Sequence, residues 1–102
     1  MLGSVNAVTE SGVLVTASAT ASQLGPYAAG AGKLILVVGS QKIVPDLDAA
    51  LRRIDEYIFP WEDASVLEKL GVHTILGKIL LIEREWRQDR TTVILVRDPI
   101  GI

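Results

Sequence analysis

The chain has 102 residues, 49% of them hydrophobic and 22% charged, with a net charge of −2. That length admits one domain with its own core, and the composition excludes a disordered charged tail. The charge balance gives no electrostatic reason to expect nucleic acid or an anionic membrane as partner, and the absence of cysteine excludes disulfides, thiolate catalysis and thiolate-bound clusters carried by this chain.

In chain order, the first third is almost uncharged: Glu10 is the sole charged side chain before Lys33, and all ten Lys and Arg residues follow from there. Segments 5–9 and 13–17 are rich in β-branched residues and flank Glu10-Ser11-Gly12, which predicts a β-hairpin. Residues 23–32, with Gly and Pro around Tyr27-Ala28-Ala29, read as a loop with room for one helical turn. Residues 34–38 are a continuous apolar strand of the kind buried on both faces in a parallel sheet. Pro45 suits a first helical turn, with Asp46 and Asp48 near its positive end.

Leu47, Ala50, Leu51, Ile54, Tyr57 and Ile58 then recur at spacings of three and four, which makes one apolar helix face; Asp48, Arg52, Arg53, Asp55 and Glu56 make the other. Pro60 is expected to stop this helix, and residues 61–70 to form a second one ended by Gly71. Strands at 78–83 and 92–97 complete the chain, joined through Arg87-Gln88-Asp89-Arg90 as a hairpin. The fold class is α/β, a mixed sheet with two helices and a right-handed parallel crossover from 34–38 to 78–83. Two helices cannot cover both faces of such a sheet, so one face is expected to be bare unless a second subunit or a separate amino-terminal half covers it.

Two places carry possible chemistry, and Ser40, Gln41 and Lys42 are expected to border one small-molecule site together with Glu10. Glu10 beside Gly12 offers a carboxylate on a glycine turn, able to attack an acyl group or accept a proton, or else a solvated turn with Gly12 at positive φ. Gly39-Ser40-Gln41-Lys42 offers amides, a hydroxyl and an ammonium ahead of a helix, suited to phosphate, carboxylate or a CoA pyrophosphate. The plainer reading is a strand-to-helix connection with Lys42 in solvent. Gln23 and Tyr27 could present polar tips from a loop packed on the sheet. His73, the single histidine, has no second histidine and no close carboxylate in the sequence, so neither a metal site nor a resident cofactor is expected. Arg84, Arg87, Arg90 and Arg97 alternate with Glu83, Glu85, Asp89 and Asp98, a pattern of solvated hairpins, while Trp61 and Trp86 read as core or interface anchors.

The words "GSVNAVTESGVLVTAS", "QLGPYAAGAGK" and "VVGSQKIVPDLDAALRRI" resemble the LUD (lactate utilization) proteins of the LutC/YkgG type, with the likeness running to the final "VRDPIGI". Those proteins are commonly about twice this length, and the whole chain resembles their carboxy-terminal half. The resemblance implies half of a NagB/RpiA/CoA-transferase-like α/β/α sandwich. It also implies a role in lactate or organic-acid utilization beside iron–sulfur partner proteins. "TESGVL" here corresponds to "AETGTL" in relatives, so Glu10 and Gly12 match a setting in which CoA transferases carry a catalytic glutamate, while Val13 replaces a threonine.

Three readings follow: a LUD-type protein of organic-acid metabolism, a small-ligand enzyme of the CoA-transferase or sugar-phosphate kind using Glu10, and a non-catalytic assembly module. A homodimer or higher oligomer is expected, its interface on residues 3–27 with Trp61 or Trp86. A cytoplasmic location is expected too, since the first thirty residues lack the cationic start of a signal peptide and no apolar run approaches the roughly 20 residues that span a bilayer.

Overall fold

In the computed structural model, which describes residues 1–20, 22–87 and 89–102, a short strand β1 (Leu2–Gly3) leads into the predicted hairpin. Its arms β2 (Ala7–Thr9) and β3 (Leu14–Ser18) run antiparallel, with Ala7 opposite Val15 and Val8 opposite Leu14. The Thr9 hydroxyl locks the turn by accepting the Val13 N–H at 2.9 Å, and Gly12 supplies the φ of 100° that an L side chain resists. The next loop holds one wide helical turn, Pro26–Gly30, whose Tyr27 is buried and accepts the Ser4 N–H on its phenolic oxygen at 3.0 Å.

Strand β4 (Leu34–Gly39) alternates instead of being buried on both faces: Leu34, Leu36 and Val38 are inside, whereas Ile35 is 42% exposed. After a tight 3-10 turn at Ser40–Lys42, β5 (Ile43–Val44) pairs parallel with β2. Helix α1 (Leu47–Arg53) begins two residues after Pro45, because Asp46 takes the capping position and accepts the Ala49 N–H at 2.8 Å. Pro60 does not separate two helices. The turn Ile54–Ile58 widens to π geometry and runs directly into α2 (Phe59–Leu70). A proline lacks the N–H that an α-turn would use and its ring crowds the carbonyl four residues back, and a widened turn just before it lets one helix continue. Gly71 ends the helix as expected. No helix among the described residues is long and apolar enough to cross a membrane.

Strand β6 (Lys78–Ile82) pairs antiparallel with β3 over five residues, and β7 (Thr91–Val96) pairs parallel with β4 over six. The mixed α/β class holds, but its strands divide into two sheets, β1-β4-β7 and β5-β2-β3-β6. This corrects two expectations. The crossover from 34–38 to 78–83 does not form, and neither does a hairpin between 78–83 and 92–97, because those partners lie in different sheets. Arg90 supplies the reason: its guanidinium is held by the carbonyls of Pro26, Tyr27 and Ala31, which carries the chain from the second sheet across to the first. Gln88, in the expected turn, lies outside the described residues.

The layers follow from the alternation. Val8 and Leu14 face the first sheet and join Val5, Tyr27, Leu34, Leu36 and Val38 in one core; Ala7 and Val15 face the helix and join Ala50 and Ile54 in a second. The helix therefore covers the four-stranded sheet, whose other side packs on the three-stranded sheet. The outer face of the latter, with Leu2, Ile35 and Ile94 at 71%, 42% and 47% exposure, is bare. Only part of the predicted helix stripe is buried: Ala50, Ile54 and Ile58 are inside, while Leu47, Leu51 and Tyr57 remain partly open.

Candidate functional site

The turn after β4 is roofed by the chain's last residues. Gly39 permits this, because a Cβ there would meet the Ile100 backbone N and O at 2.7 and 2.8 Å. Ser40 donates its hydroxyl proton to the Arg97 carbonyl, and Gln41 Nε2 donates to the Ile100 carbonyl, leaving Gln41 Oε1 buried without a hydrogen-bond partner among the described residues. Gly39, Ser40, Gln41 and Lys42 are thus brought together, with their polar groups turned toward residues 97–102.

Lys42 is not in solvent. It is 8% exposed, with Nζ 3.2 Å from Ser4 Oγ and next to Gly101. Arg53, one helix away, donates from Nε to the Asn6 carbonyl at 3.1 Å and from Nη2 to the Ile102 carbonyl, and its guanidinium lies 5.1 Å from the centre of the Tyr57 ring. Neither cation forms an ion pair among the described residues. A buried ammonium and a half-buried guanidinium facing carbonyls and hydroxyls, with no acidic side chain paired to either among the described residues, make a place where a small anion would be favoured. Reasoning from sequence placed Arg53 on the solvated helix face and missed it. The available signal was its position three residues after Ala50 and four before Tyr57, at the margin of the apolar stripe.

Burial, and secondarily the Arg53 charge, hold the Lys42 ammonium below the ordinary lysine range; burial also lowers Arg53, with Tyr57 acting in the opposite sense. A lysine depressed in the folded state costs stability while it is protonated, and the cost is relieved as pH rises from the folded value toward the ordinary 10.5. Lys42→Met should therefore be more stable than the parent at neutral pH, by a margin that shrinks toward pH 10.5. Denaturant unfolding at the two pH values measures this, and a margin independent of pH would show that the charge is not responsible.

Glu10 stands elsewhere. It is exposed, its N–H donates to the Val44 carbonyl at 2.9 Å, and with Gly12, Ile43, Val93 and Leu95 it borders a cavity of about 400 Å³ between the hairpin and β7. Because β5 runs parallel to β2 with Ile43 beside Val8, Lys42 and Glu10 fall at opposite ends of that pairing. The structure joins Glu10 to Gly12 and does not bring them into one cavity with Ser40, Gln41 and Lys42.

Other expectations change as well. His73 does have a carboxylate: Nδ1 is 2.8 Å from Asp63 Oδ2, and Asp63 Oδ1 accepts the Thr74 N–H at 2.8 Å. These bonds, His73's first, hold the Asp63 carboxyl below its ordinary range. Arg90 is not a solvated hairpin residue, since its side chain is 9% exposed and paired with Glu85 at 3.0 Å. Trp86 anchors no core: it is 98% exposed. Gln23 lines a cleft of about 430 Å³ with Asn6, Ile58, Glu62 and Thr74, whereas Tyr27 points into the core.

A comparison with known families matches the LUD domain to residues 1–96. The chain belongs to the LUD domain family. This LUD domain has no match among the curated proteins and none among the solved structures.

Proposed function

We propose that this LUD domain serves the utilization of lactate or a related organic acid, receiving the substrate's carboxylate between Lys42 and Arg53. Membership of the family supports that class of metabolism. The observation that carries the ligand assignment is the buried Lys42 ammonium near the half-buried Arg53 guanidinium, neither paired with an acidic side chain among the described residues. Charge-assisted bonds from an ammonium and a guanidinium suit a carboxylate, and the Ser4 hydroxyl and Asn6 main-chain carbonyl beside them suit a neighbouring hydroxyl. The Ile102 carbonyl now on Arg53 would have to yield to the ligand. The chain holds no cysteine, so an iron–sulfur cluster accepting electrons from the substrate would belong to a partner protein.

A second reading rests on the Glu10 cavity, whose apolar wall of Ile43, Val93 and Leu95 suits an acyl chain approached by the carboxylate. Calorimetric titration with L-lactate, an acyl-CoA and a phosphorylated sugar separates the two. Lactate is expected to bind, with affinity reduced more than tenfold in Lys42→Met and in Arg53→Gln, as the loss of a charged hydrogen bond of about 1.5 to 3 kcal/mol requires, and unchanged in Glu10→Gln. Acyl-CoA binding lost in Glu10→Gln alone would replace the first reading by the second.

A further inference from the structure

Strand β7 ends the three-stranded sheet, with β4 as its one neighbour among the described residues. The Leu34 N–H donates to the Arg90 carbonyl at 2.7 Å. In a parallel ladder the bonding groups alternate, so this contact turns the backbone groups of Thr92, Ile94 and Val96 toward β4 and those of Thr91, Val93 and Leu95 outward. The edge reads TTVILV: six residues, no charge, no proline and no bulge, and from Thr92 to Leu95 every residue is exposed. None of the devices that commonly blunt a free edge is present within it.

We infer that β7 pairs antiparallel with β7 of a second copy about a two-fold axis through Val93, fusing the two three-stranded sheets into one of six strands. The register is set by which groups face outward. Only pairings that match Thr91, Val93 and Leu95 with one another join donors to acceptors. Val93 opposite Val93, with Thr91 opposite Leu95 on both sides, does so symmetrically, each pair exchanging two backbone bonds. Charge favours that register. It sets Asp89 of each copy, which also pairs with its own Lys33 at 3.3 Å, opposite Arg97 of the other, whereas a shift by one residue would set Asp89 against Asp98 and aim outward groups at inward ones. A two-residue shift keeps the backbone match but loses the Asp89–Arg97 pairing.

Within the expected interface at 3–27, Val5, Ala7, Val8, Leu14, Val15 and Tyr27 are buried in the cores, whereas the edge of β7 is open to a second copy. In the fused sheet Val93 and Leu95 keep their place on the wall of the Glu10 cavity, and the second copy's Thr91 comes opposite Leu95, extending that wall. The inference does not depend on the ligand assignment above.

Light scattering and amide hydrogen exchange on the full chain test it. At micromolar concentration the particle should have twice the chain mass, and the amides of Val93 and Leu95 should exchange slowly, becoming fast on dilution to monomer. Val93→Pro removes an outward N–H while leaving the bonds to β4 intact, and should yield a monomer. Arg97→Asp, a change that cannot disturb the core, should weaken dimerisation at least tenfold, with recovery when Asp89→Arg is added. A monomeric parent, or a Val93→Pro or Arg97→Asp variant that dimerises as well as the parent, overturns the inference. So does slow exchange at Val93 that appears only on adding a separately expressed amino-terminal half of a longer family member, which would give the edge to that half.

Discussion

Arg90→Ala should lower folding stability by about 3 to 5 kcal/mol, the range found when one partner of a buried ion pair is removed. Few single changes in this chain would break so many bonds. The guanidinium donates to the Pro26, Tyr27 and Ala31 carbonyls at 2.7, 3.0 and 2.9 Å and to both oxygens of Glu85 at 3.0 Å. Alanine would leave three carbonyls and a carboxylate that is 19% exposed without their donor. For a domain of this size each kcal/mol moves the thermal midpoint by about 4 to 8 °C, so a drop of more than about 10 °C is expected. Arg90→Lys should recover little of it, because an ammonium cannot present the planar fork that reaches carbonyls and carboxylate together. A midpoint within a few degrees of the parent would show that the loop 26–31 is held by its own packing.

Gly39→Ala is expected to detach residues 97–102 from the turn they cover. Its Cβ would fall within 2.8 Å of the Ile100 backbone, a collision with main chain that no rotamer change relieves. Overpacking of this kind costs about 1 to 3 kcal/mol. The bonds from Ser40 and Gln41 to the tail would go with it. Limited proteolysis should then cut after Arg97 faster than in the parent, and an organic acid that competes with the tail for Arg53 should bind more tightly to the variant than to the parent. Unaltered proteolysis would mean that Gly39 tolerates a side chain by local adjustment.

What the sequence made legible was local. The hairpin at Glu10-Ser11-Gly12, the helical face from Ala50 to Ile58 and the stop at Gly71 follow from turn chemistry and periodicity, which act over a few residues. The division into two sheets was not legible, because β6 and β7 are equally apolar runs, and their choice of β3 and β4 depends on a buried arginine whose acceptors lie about sixty residues earlier. Pro60 misled for a related reason: its effect depends on whether the preceding turn can widen. At the candidate site, Ser40, Gln41 and Lys42 stood out as polar residues after an apolar strand. Arg53 and the covering tail did not, since which main-chain oxygens a guanidinium meets is a tertiary fact.

The three-stranded sheet also fixes an order of events during folding. β1, β4 and β7 come from the beginning, the first third and the end of the sequence, and every pairing among them closes a long loop. Contacts of such high separation form slowly, after the loop entropy has been met by earlier structure. On the ribosome, β4 must therefore wait, with the backbone groups of Leu34, Leu36 and Val38 unpaired, until Thr91–Val96 has been synthesised and has emerged. The hairpin, which needs only its first eighteen residues, is free to form long before. The period between those two moments is when a nascent chain of this protein has most need of a chaperone.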